Sequence, residues 1–181
     1  HYLQDLTQPY HASILPGVHT LRMLGINAVA MAGWERPKSD AVTLISNRHA
    51  VVESWQQRRM AEAYRQQRMD DALLAALRDT GSDREHWRYA PANLRTMVSR
   101  EAFDAAALAT QLEHSFPARY TADPAVSLGN ETDELDMVGI ARAHSASEHE
   151  RLERQVAALL KRLGLHTRAL VRDLLGEKAR P

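Results

Sequence analysis

Residues 48–80 read RHAVVESWQQRRMAEAYRQQRMDDALLAALRDT and contain neither glycine nor proline. Thirty-three consecutive residues without a breaker, rich in Ala, Leu, Arg, Gln and Glu, predict a long helix. Ser46 or Asn47 is placed to cap its start, and Gly81 lies just past its end. The composition beyond this stretch is equally helical. Aromatic residues are few, and no alternating strand pattern is visible. The expected fold class is therefore all-α, an irregular multi-helix bundle. With 181 residues, the chain fits a single helical domain with a substantial core.

Working outward, His1 to Leu6 fits a short helix that Pro9 should end or kink. His11 to Pro16 reads as a loop and Val18 to Ala32 as a helix weakened by Gly25 and Asn27. Trp34 to Asp40 is expected to be a loop, marked by Gly33, Pro37 and Ser39. Downstream, His86 to Pro91 looks irregular, and Ser99 can cap a helix from Arg100 to about His114. Phe116 to Asn130 holds Pro117, Pro124 and Gly129 and reads as a loop. A last long helix is expected from near Thr132 to Gly164, with a final piece to Gly176. Leu152, Val156, Leu159 and Leu163 form its apolar stripe.

Bulk chemistry narrows the function classes. Twenty-three basic and 23 acidic residues balance, so no global field draws nucleic acid or an anionic membrane. There is no cysteine, which excludes disulfides and thiolate metal sites. No apolar stretch reaches the ~20 residues of a membrane helix. No signal-peptide pattern opens the sequence as given, and it begins at His1 inside what reads as a helix. We expect it to be the later part of a longer polypeptide.

The nine histidines carry the chemistry. In HYLQDLTQPYH, residues 1–11, His1 and Asp5 are four apart and share a helix face. Both can bind one cation, and the two carboxylate oxygens of Asp5 can bridge two. Pro9 turns the chain before His11, so that imidazole can approach from another direction. His49 and Glu53 repeat the four-residue spacing near the start of the long helix. His49, Glu53 and His11 together make three ligands with a fourth position open to water, the pattern of a catalytic zinc. The plain alternative for each pair is a solvated helix face with a weak ion pair. His19, His86, His114, His144, His149 and His166 have no ligand-spaced partner, and Glu148 and Glu150 make His149 look like wet surface. Trp34, Trp55 and Trp87 read as core or loop anchors, and Arg58-Arg59 as a solvated face.

His1-x3-Asp5-x5-His11 with Gln8-Pro9, followed by His49-x3-Glu53, resembles the signature of the zinc-dependent phospholipases C and the related single-strand-specific nucleases. Glu53 leans toward the phospholipases, since the nucleases more often place Asp there. The resemblance covers residues 1 to about 55. It implies an all-α fold of the phospholipase C type, a cluster of up to three zinc ions, and a secreted or periplasmic location. It gives His1 to one ion of a close pair, Asp5 to the bridge of that pair with a catalytic role, and His11, His49 and Glu53 to the remaining ion. The implied activity is phosphodiester hydrolysis by metal-activated water, on phospholipid or, as an alternative, single-stranded nucleic acid. A non-catalytic helical scaffold with a residual metal site is the third reading. Gln4 stands where the family usually has Gly, Thr7 stands where His or Asn is frequent, and the stretch from His11 to His49 is longer than the family's. The further ligands that the family takes from an earlier segment, a Trp, two His and an Asp, are not in the sequence as given.

Overall fold

A computed structural model describes residue 5 and residues 7–12, 20–83, 91–129 and 131–175. These are helical with connecting turns, and among them there is no strand. In chain order the helices are α1 (Pro9–Ala12), α2 (Thr20–Met31), α3 (Arg36–Arg65), α4 (Ala72–Arg78), α5 (Pro91–Ser115), α6 (Ala118–Thr121), α7 (Met137–His144) and α8 (Ala146–Leu174). A 3-10 turn spans Glu131–Asp133. The all-α expectation therefore holds.

Several boundaries differ from the sequence reading, each for a local reason. Helix at Asp5 gives way to a turn and bend at Thr7 and Gln8, as Pro9 leads one to expect, but Pro9 also opens α1, so His11 sits on a helical turn and not in a loop. Proline suits that first position because its missing N–H has no intrahelical partner there. Pro37 likewise falls in the first turn of α3, which starts at Arg36. Residues 36–40 are thus helix, and Asn47 is no cap. It is buried, donates from Nδ2 to the Val126 carbonyl at 2.7 Å and accepts from the Leu128 N–H at 3.0 Å.

The long helix breaks after Arg65. Gln67 takes a left-handed φ of 56°, and the Asp71 carboxylate accepts from the Leu73 N–H to start α4. In the opposite sense, Ser99 caps nothing, because α5 runs unbroken from Pro91. The expected last helix is divided. Asp136 caps α7 through the Gly139 N–H, and Ser145 caps α8 through the Glu148 N–H. Gly164 lies inside α8, where its missing side chain admits the Leu77 carbonyl of α4: a Cβ would stand 2.2 Å from that oxygen.

The core forms where α3, α4, α5, α7 and α8 meet. Val51, Trp55, Leu73, Leu108, Leu112, Phe116, Met137, Leu152 and Val156 are all fully buried there. Of the stripe expected on α8, Leu152, Val156 and Leu159 are buried, with Leu160 beside them, whereas Leu163 is only half-buried.

Buried polar groups correct three further readings. Arg59 is not solvated: it is 6% exposed, and its Nη2 meets Asp71 Oδ2 at 2.7 Å and Glu153. Trp34 anchors nothing and is 74% exposed. His149 is buried against the edge of the Trp55 ring, centroids 5.7 Å apart. Burial, reinforced by the Arg142 charge, holds its imidazole below the ordinary 6.5. His166 is depressed in the same direction by burial and then by Arg162.

Both groups bind a proton more weakly folded than unfolded. Just below pH 6.5 the unfolded chain therefore holds the extra protons, and stability falls as pH drops. Urea midpoints should stay level above about pH 7 and decline between about pH 6.5 and 5.5. Replacing His149 and His166 together by Gln should flatten that decline. An unchanged slope in the double variant would assign the acid sensitivity to other groups.

Candidate metal centre

Two elements far apart in sequence build the site. His49 and Glu53 lie one turn apart on α3, so their side chains emerge on one face. His11 comes from α1, which packs on α5 and presents its imidazole to α3. His11 Nε2 lies 3.0 Å from His49 Nε2 and 3.4 Å from Glu53 Oε1, and His49 Nε2 lies 3.1 Å from the same oxygen. Three ligand atoms therefore converge on one point.

That convergence is hard to satisfy with protons alone. Two neutral rings facing through Nε2 can place only one N–H between them, and doubly protonated rings would oppose two cations. A cation accepts all three lone pairs at once. A tetrahedral zinc with bonds of about 2.0–2.1 Å holds neighbouring ligand atoms about 3.3–3.4 Å apart, and the edges of this triangle, 3.0, 3.1 and 3.4 Å, fall close to that. The donor set of two imidazoles and a carboxylate is one that catalytic zinc uses. The residues present thus fit the metal.

Electrostatics agree with a ligand role. Hydrogen bonding to His49 holds the Glu53 carboxyl below the usual carboxylate range, with His11 adding to it, so Glu53 is ionised at neutral pH. The site is half open: the side chains of His11, His49 and Glu53 are 35%, 33% and 58% exposed, which leaves an approach for solvent or substrate.

Of the remaining expected ligands, Asp5 lies outside the three-residue group, and His1 is outside the described residues. His19, His86 and Trp87 are also outside them. Asp5 keeps the role that the resemblance gives it only as a proposal.

The sequence reading missed Tyr10. Its ring stacks on the His49 imidazole, centroids 5.8 Å apart and planes 6° from parallel. Tyr10 is buried, its phenol pushed well above its ordinary range by burial, and among the described residues its hydroxyl meets no hydrogen-bond partner. The ring is therefore what positions His49. Beneath it, Arg48 donates through Nε to the Thr121 carbonyl at 2.8 Å and pairs with Glu113, fixing the α3 backbone at the site. Tyr10→Phe should leave metal affinity and stability nearly unchanged. Tyr10→Ala should weaken metal binding by about 10–100-fold, as expected when a ligand loses the group orienting it. Titrating both variants with zinc checks this, and equal affinities would deny the ring its positioning role. The only sequence signal for Tyr10 was its place between Pro9 and His11.

One turn beyond Glu53 along α3, Ser54, Gln57, Arg58, Ala61, Arg65 and Asp133 line a cavity of about 480 Å³. Arg58 donates to the Asp133 carbonyl at 2.7 Å, and Ser54 to the Asp133 carboxylate at 2.8 Å. Comparison of the chain with protein-family models, with curated proteins and with solved structures finds no match.

Proposed function

We propose that the chain carries the metal centre of a zinc-dependent phosphodiester hydrolase, most like the zinc phospholipases C. One observation carries this reading. His11, His49 and Glu53, brought from α1 and α3, converge within 3.4 Å. They are the residues that the motif resemblance assigns to a single zinc.

Bound there, zinc would supply Lewis acidity and a water ionised near neutral pH. The chain's own contribution is geometric and electrostatic. Tyr10 packs across the α1–α3 junction and Arg48 ties α3 to α5 and α6, so the ligand atoms are preorganised. Two neutral imidazoles and one carboxylate bring a single negative charge, which leaves a divalent site net positive and suited to an anionic phosphodiester. In the same reading Asp5, and His1 with it, serve the neighbouring ion pair, Asp5 as its bridge.

The arginines of the adjacent cavity favour one second reading, a nuclease for single strands. Arg58 and Arg65 both line that cavity, whose Ser54 follows Glu53 on α3, and their guanidinium groups suit phosphate oxygens. Elemental analysis of the purified protein tests the metal, with about one zinc per chain expected for this triad. Assays on a choline phospholipid analogue and on single-stranded DNA then separate the two substrates. A chain that stays metal-free in excess zinc would overturn both readings.

A further inference from the structure

α2 is the least ordinary helix of the molecule. Its sequence, TLRMLGINAVAM, holds one charged residue in twelve, Arg22, and no acid. Met23, Ile26, Val29 and Ala30 on its inner face are half-buried, and α2 packs on α3. A surface helix normally turns a polar face outward. Here the outer face is apolar too. Leu21, Leu24 and Met31 are 71%, 62% and 91% exposed, with Ala28 on the same stripe, and Trp34 follows at 74%.

We propose that the outer face of α2 and Trp34 dock the protein on a phospholipid bilayer, lying in the plane of the headgroup boundary. Twelve helical residues span about 18 Å, well short of the ~30 Å hydrocarbon core, so the helix lies in the surface and does not cross it. Indole is the side chain best suited to that boundary, apolar over most of its area with one N–H to hydrate. The local charge matches an anionic leaflet. From residue 20 to 42 the chain has Arg22, Arg36 and Lys38 against Glu35 and Asp40, an excess of one positive charge in a chain whose formal net charge is zero. Arg36 and Asp40 face each other at 3.9 Å. Val42, 53% exposed, extends the apolar surface onto α3.

A protein partner is the less fitting occupant. Protein interfaces carry about one hydrogen bond per 100–200 Å². Leu21, Leu24, Ala28 and Met31 offer no side-chain donor or acceptor to make one. Docking through α2 would bring α3, joined to it by four residues, to the lipid surface together with His49 and Glu53. The inference does not require that centre to be catalytic.

Co-sedimentation with vesicles of phosphatidylcholine mixed with phosphatidylglycerol, in the presence of a chelator, tests it without any turnover. The protein should pellet with the vesicles, more so on the anionic mixture than on phosphatidylcholine alone. Its tryptophan emission should shift to the blue, and Trp34→Phe should reduce that shift, because Trp34 is exposed whereas Trp55 is already buried. Leu24→Glu with Met31→Glu should lower partitioning by at least about tenfold. Both sites are exposed, and an unchanged circular dichroism spectrum would verify the fold. If the double variant does not fold, quenching of Trp34 by brominated lipid gives the same answer in the parent chain. No pelleting, pelleting indifferent to the double substitution, or a dimer in sedimentation velocity that Leu24→Glu dissociates would each overturn the proposal. The last would give the face to a second copy. Zinc content measured on the same samples keeps failure here distinct from failure of the metal centre.

Discussion

His49→Ala should abolish zinc binding at the proposed centre while leaving the helices intact. His49 makes the two shortest contacts of the triad, 3.0 Å to His11 and 3.1 Å to Glu53. Without it the remaining imidazole and carboxylate are two ligands held by two different helices. Loss of an outer-shell partner alone lowers metal affinity about 10–100-fold, so loss of a direct ligand should exceed about a hundredfold. The fold has little at stake, because the imidazole is a third exposed and lies outside the main core. Glu53→Gln should also weaken binding, since it keeps the shape but removes the negative charge. His144→Ala, at an exposed histidine on α7, should change nothing and serves as the control. Competition titration against a zinc chelator measures all three. If His49→Ala bound zinc like the parent chain, the triad would not be the metal site, and the hydrolase reading would fall with it.

The contrast between what was legible in the sequence and what was not has a physical basis. Helix formation is local, so the pairing of His49 with Glu53 follows from spacing alone, and α3 supplies that face. The approach of His11 across 38 residues is a tertiary event that no spacing fixes. It was expected from the turn at Pro9 and the ligand chemistry together with the motif resemblance, none of which sets a distance. Absence of glycine and proline from residues 48–80 permitted one helix but did not require it. The decisive signal was Asp71 ahead of ALLAAL, an N-cap before an apolar run, which outweighed the continuous propensity and started α4 anew. Pro37 was read as marking a loop and Pro9 only as a stop, although proline also fits a helix's first turn. Arg59 and His149 were read as solvated because they are polar. Their burial depends on partners in other elements, Asp71 and Glu153 for the arginine and Trp55 for the histidine. Trp34 and the outer face of α2 fail the other way, with apolar residues left in water where periodicity alone would bury them.

The largest stability effect is expected far from the metal. Glu101 on α5 is completely buried, and Arg162 on α8 holds it in a two-pronged clamp, Nε to Oε1 and Nη2 to Oε2, both at 2.7 Å. The same Nη2 reaches Asp104 Oδ2 at 2.7 Å, so one guanidinium serves two carboxylates a turn apart. Arg162→Met keeps much of the aliphatic stem but strands a buried carboxylate, which should cost about 3–5 kcal/mol of stability. Glu101→Leu combined with Arg162→Met removes both charges and should recover most of the loss, because the desolvation of a buried pair roughly cancels its attraction. Urea unfolding of the two single variants and the double variant forms a thermodynamic cycle. A strongly positive coupling, with Arg162→Met far worse than the double variant, is the expected pattern. A small and additive cost for Arg162→Met would mean that Glu101 is hydrated in solution and that the α5–α8 contact is held by its apolar side chains alone.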